Sequence, residues 1–151
     1  MKLPSKSLAA AALGLALLSG PALAGDTTRP DNAQLYIIWP KDGRTLPGGK
    51  FWLRMGLKNF GVAPAGTEKG NTGHHHVIIN APLPAFDEEI PNDRNHLHFG
   101  GGQTEARIQL PPGRHTIQLL MGDHDHVPHN PPLYSERITV IVPPLVSQSI
   151  D

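Results

Sequence analysis

Apolar side chains fall on alternate positions in a series of short runs along this chain, and proline or glycine closes most of the runs. A period of two places one set of side chains on one face of a strand, so each run predicts a half-buried β-strand. Gln34 to Trp39 is the first, rich in β-branched and aromatic residues and stopped by Pro40 and the turn cluster Lys41-Asp42-Gly43. In the second, Phe51, Leu53, Met55 and Leu57 share a face opposed to Trp52 and Arg54. A glycine-punctuated loop, Asn59 to Gly73, then delivers the chain into His74-His75-His76-Val77-Ile78-Ile79, a strand that opens on three histidines. His96 to Phe99 precedes the glycines Gly100 to Gly102. Thr104 to Leu110 and Arg114 to Met121 flank Pro111-Pro112-Gly113 and read as a hairpin, with His115, Ile117, Leu119 and Met121 on one face. Ile138 to Val142 is the closing strand. Outside the first residues no segment carries the 3.6-residue period of a long helix. The prediction is an all-β, immunoglobulin-like β-sandwich of about seven short strands, with a jelly roll or open barrel as the alternative topology.

The N-terminus follows a different pattern. Lys2 and Lys6 precede an apolar stretch from Leu8 to Leu18, and Ala22-Leu23-Ala24 supplies a small-residue cleavage signal. The apolar run is shorter than the ~20 residues of a spanning helix. The expected organisation is a signal-peptide helix over 1–24, a flexible lead-in over 25–33, a single sandwich domain over 34–143 and a C-terminal tail over 144–151. The protein is expected to be periplasmic or secreted, with no membrane span after cleavage.

Charge and composition narrow the chemistry. Lys and Arg number 13 and Asp and Glu 13, and loss of Lys2 and Lys6 with the leader makes the mature chain slightly acidic. No basic patch argues for nucleic acid. Cysteine is absent, which excludes thiolate chemistry, and Met55 and Met121 are too few for a methionine-rich copper(I) site.

Histidine is the unusual component: all nine lie beyond the leader, mostly in clusters. Strand alternation puts His74 and His76 on one face and His75 on the other, and the same-face pair is close enough to share an ion. His96 and His98 repeat that spacing. Asp123-His124-Asp125-His126-Val127-Pro128-His129 adds three more imidazoles and two carboxylates on a proline-stiffened loop. Crowded imidazoles repel wherever they protonate, which favours a metal over simple packing. The candidate ligands are His74, His76, His98, His126 and His129, with His75, His96, Glu105, His115 and Asp123 as candidates to orient them. Simpler readings stand beside these: hydrogen bonding for His75 and His115, a surface position for His124, and an exposed strand position or an ion pair for Glu105. Imidazole with nearby carboxylate suits copper(II) or zinc. Metal affinity is expected to fall below about pH 6.5, where free imidazole protonates.

Four motifs together carry a resemblance: Gly73-His74-His75-His76-Val77-Ile78-Ile79, His98-Phe99-Gly100-Gly101-Gly102-Gln103-Thr104-Glu105, Leu110-Pro111-Pro112-Gly113-Arg114-His115-Thr116, and Gly122-Asp123 with His126-Val127-Pro128-His129. Over about residues 60 to 142 the chain resembles the bacterial family known as domain of unknown function 4399. The resemblance implies an exported small β domain and names no ligand or reaction. It favours His126 and His129 over His124, and His98 over His96.

Three functions compete. The first is a periplasmic metal-binding protein for storage, delivery or resistance. The second is a metal-independent immunoglobulin-like module that binds an envelope protein or polymer. The third, a metal-dependent hydrolase or oxidoreductase with Glu105 or Asp123 as general base, ranks last, since the helical His-Glu-x-x-His pattern is missing.

Overall fold

In the computed structural model, which describes residues 27–145, strands form where apolar alternation is strongest. In chain order they are β1 (Gln34–Trp39), β2 (Arg44–Thr45), β3 (Lys50–Lys58), β4 (Gly61–Val62), β5 (Thr72–Ile79), β6 (His96–Phe99), β7 (Glu105–Gln109), β8 (Gly113–Gly122) and β9 (Ile138–Val142), with a 3-10 turn at Pro47–Gly49 before β3. The two-residue strands β2 and β4 have no period to betray them in the sequence. The proposed leader and residues 146–151 of the tail lie outside the described residues. Among the described residues no helix is long and apolar enough to cross a membrane.

The strands make two sheets. One is antiparallel in the order β1-β3-β7, and the other runs β2-β9-β8-β5-β4 with β6 also paired to β5. Strand β8 takes one edge of β5, from His74 to Ile79. The opposite edge is shared by β4, parallel at Thr72 and Gly73, and by β6, antiparallel from His75 to Ile78.

A common core joins the sheets. Leu35, Ile37, Leu53, Met55 and Ile108 come from the first, and Val77, Ile79, Ile117, Leu119, Met121 and Val140 from the second. Each such side chain contributes roughly 1.5–3 kcal/mol on leaving water. The architecture is therefore all-β with two facing sheets.

Strand β5 departs from half-burial. Its core-facing residues Val77 and Ile79 and its outward residues His74, His76 and Ile78 are all buried. The outward face is roofed, because Ile90 from the loop after β5 packs with Ile78 and Leu120 in a small separate cluster. The loop after β8 covers the rest and is itself tied down by residues ahead of β1: Thr28 bridges Asn130, and Thr27 Oγ1 donates to Asp123 Oδ2 at 2.9 Å. A domain surface thus becomes a second, polar interior.

Candidate metal centre

Three elements deliver four histidines to that roofed face. His74 and His76 alternate out of β5 on the side away from the main core. His98 stands directly opposite His76 in the β5–β6 register, the arrangement in which cross-strand side chains lie closest. His126 descends from the loop after β8. Its φ of 68° is in the left-handed region, which histidine enters more readily than bulky apolar residues do.

That loop is built around one carboxylate. Asp123 Oδ1 accepts the backbone N–H groups of Asp125 and Val127, each at 2.9 Å, while the Val127 carbonyl accepts from Asp123 N–H at 2.9 Å. The His126 carbonyl in turn accepts from Ile90 N–H at 2.9 Å, joining the two covering loops above the histidines. Asp123 therefore works as the staple that presents His126.

The four rings pack at centroid separations from 4.7 Å (His98–His126) to 6.1 Å (His76–His126). One ring nitrogen from each of His74, His76, His98 and His126 lies within 4.8 Å of all the others. A tetrahedral ion with bonds near 2.0–2.1 Å holds its donors roughly 3.3 Å apart, so closure needs shifts of about an ångström. Space for the rings is part of the design: a Cβ on Gly122 would meet His76 Nε2 at 2.8 Å.

The hydrogen-bond inventory points the same way. His74 Nδ1, His76 Nδ1, His98 Nε2 and His126 Nδ1 are buried without a hydrogen-bond partner, as are His75 Nε2 and His129 Nδ1 outside the set. Each unsatisfied buried group costs about 1–3 kcal/mol, and four together rival the roughly 5–15 kcal/mol net stability of a domain. A cation offsets this cost only where the unpartnered nitrogen is the one whose lone pair faces it; at His74 and His76 the nitrogens that face each other, at 3.0 Å, are the Nε2 atoms.

Electrostatics keeps those lone pairs available. Burial, then the neighbouring His126 and His98, pushes His74 down to about 4. Burial, then His74 and His98, pushes His76 down to about 2. His98 is also lowered, by burial and then by His126. His74 and His76 are thus neutral near pH 7, the form that ligates metal.

Among the other residues singled out in the sequence, His129 is not brought into the four-histidine set. It is buried in the same loop, but its Nε2 donates to the Thr72 carbonyl at 3.1 Å and its ring meets Phe60 edge-on at 5.0 Å. His75 faces the main core and donates from Nδ1 to the Gln103 carbonyl at 3.0 Å. His115 accepts from Asn80 Nδ2 at 2.9 Å and donates from Nε2 to the Pro111 carbonyl at 2.8 Å. His96 is held by Asp93 at 2.9 Å, and His124 lies 3.2 Å from Asp125. Glu105 sits exposed on β7 in the other sheet, 3.4 Å from Arg54, and does not approach the histidines. The covering role of Ile90 escapes sequence reasoning; its signal is an apolar residue set among Asp87, Glu88, Glu89 and Asp93 in the Pro-rich loop from Ala81 to Arg94.

Residues 53–143, more than half of the chain, match the family described as Domain of unknown function (DUF4399). Neither the curated proteins nor the solved structures provide a match.

Proposed function

We propose that this chain, which belongs to the DUF4399 family, is an exported metal-binding protein that holds copper(II) or zinc through His74, His76, His98 and His126. The observation that carries the reading is the convergence of four buried ring nitrogens within 4.8 Å of one another. All-imidazole donors with bonds near 2.0 Å suit these two ions better than calcium or magnesium, which prefer oxygen. The leader pattern over 1–24 supports a place in the periplasm or outside the cell, and the two facing sheets support an immunoglobulin-like sandwich.

The ligand count favours holding over catalysis. Catalytic zinc keeps a coordination position for water or substrate, whereas four protein donors fill a tetrahedral ion. Glu105 is in the wrong sheet to serve as a base, and Asp123 is engaged with backbone N–H groups and Thr27. These observations support storage, delivery or resistance over catalysis.

Untagged protein, purified without chelator and assayed by elemental analysis, should carry close to one equivalent of copper or zinc. The double variant His74→Ala, His76→Ala should lose it. Protein that arrives metal-free and takes up neither ion at neutral pH would overturn the assignment and favour the metal-independent module.

A further inference from the structure

The outward face of the β1-β3-β7 sheet lies on the opposite side of the domain from the histidines. Alternation along β1 and β3 buries Leu35, Ile37, Leu53 and Met55, and exposes Tyr36, Ile38, Trp52 and the basic residues between them. Ile38 is 43% exposed and Trp52 is 49% exposed, in a chain whose other strands bury nearly all of their large apolar side chains. The Tyr36 ring lies over Gly56, where a Cβ would collide with it.

Around this apolar centre stand Lys50, Arg54, Lys58 and Arg107, all exposed. Glu105 answers only Arg54. Lys58 Nζ rests 5.7 Å from the Tyr36 ring and the Arg44 guanidinium 5.1 Å from the Trp39 ring. A cleft of about 450 Å³ opens at one end between Trp39, Arg44, Lys50, Trp52 and Arg54, with no carboxylate in its lining. The chain as a whole is neutral, so this concentration of cations is local.

We infer that this face docks on an anionic phospholipid surface. The layering matches a bilayer interface: aliphatic and aromatic side chains at the centre reach the headgroup region, and the surrounding cations meet phosphates. Ile38 decides between occupants. A soluble polyanion or nucleic acid would use the cations and the aromatic rings but gains nothing from an exposed aliphatic side chain. The cleft gives one headgroup a walled, cationic seat. Docked in this way, the protein presents its histidine face away from the membrane, and the inference does not depend on what that face binds.

The test is co-sedimentation with vesicles of mixed phosphatidylglycerol and phosphatidylcholine, against vesicles of phosphatidylcholine alone, comparing variants that share one N-terminus. The protein should pellet with the anionic vesicles only, less strongly as salt rises, and with a blue shift of emission from Trp39 and Trp52, the only two tryptophans. Each cation at an anionic surface multiplies partitioning by roughly fivefold, so Lys50→Gln with Arg107→Gln should lower it by roughly 25-fold. Ile38→Ser should weaken vesicle binding as well. Failure to pellet, or equal binding to phosphatidylcholine, would overturn the inference. So would binding of soluble polyphosphate together with vesicle binding that Ile38→Ser leaves unchanged, which would identify a polyanion site. If either variant misfolds, the two vesicle types and the emission shift of the unaltered protein still decide.

Discussion

His74 and His76 bring their Nε2 atoms to 3.0 Å of each other on one face of β5. At that distance one Nε2 donates and the other accepts, and because burial holds both rings neutral near pH 7 their tautomers differ. The separation is also within a few tenths of an ångström of the roughly 3.3 Å between two nitrogen ligands on one tetrahedral ion. Strand geometry alone therefore nearly supplies a bidentate seat, which His98 and His126 complete.

The depressed values of these rings make stability depend on pH. Unfolded histidine protonates near 6.5, whereas folded His74 waits until about 4 and His76 until about 2. Below 6.5 the unfolded chain takes up protons that the native state refuses. Stability is therefore complete above about 6.5 and declines as pH falls through the window from 6.5 to about 4, with His76 extending the loss lower. Thermal melts of chelator-treated protein should show a falling Tm across that window. A Tm that stays level from about pH 7 to about pH 4.5 would contradict the burial of these rings as neutral groups. Burial also bears on metal binding: within the folded chain, protons compete at His74 only near 4, well below the 6.5 of free imidazole.

Two histidines three positions apart should separate binding from folding. His126→Asn removes a ligand but keeps a side chain that tolerates the left-handed backbone, so metal affinity should fall at least tenfold while the metal-free Tm stays close to that of the parent. His129→Ala should do the reverse. It deletes a buried ring that packs on Phe60 and donates to Thr72, at a cost of about 2–4 kcal/mol, and leaves the metal stoichiometry unchanged. Titration with metal and thermal melts on both variants give the comparison. Loss of metal in His129→Ala at a temperature where it is folded would move that residue into the site.

Three of the four histidines of this site are legible from strand periodicity. His74 and His76 follow from alternation, and His98 from the same two-residue spacing, because strand periodicity is local. That His98 stands opposite His76 depends on β6 pairing with β5 in a particular register, a long-range choice with no local signature. His126 and His129 look equivalent in a loop, where no period assigns a face. The backbone staple at Asp123 and the positive φ at His126 distinguish them. Glu105 suggests itself through its closeness in sequence to His98, but Gly100 to Gln103 carry the chain to the other sheet. Strand positions are readable for a similar reason, and sheet order is not.

Gly122 ends β8 beside His74 in register, and its missing side chain makes room for the His76 ring. A Cβ there would stand 2.8 Å from Nε2, 3.1 Å from Cδ2 and 3.3 Å from Ile90 Cδ1. The flanks are closed by buried Leu120 and by the roof over the site, so the ring can yield only by leaving its ligating position. Gly122→Ala should therefore cost about 1–3 kcal/mol through overpacking and weaken metal binding although no ligand is removed. Gly70→Ala is the control: nothing lies within 4 Å of where its Cβ would stand and its φ is outside the left-handed region, so it should leave metal affinity unchanged and Tm level or slightly raised. If Gly122→Ala matched Gly70→Ala in both measurements, the His76 ring would have to lie elsewhere, and the four-histidine centre would lose the member on which its geometry depends.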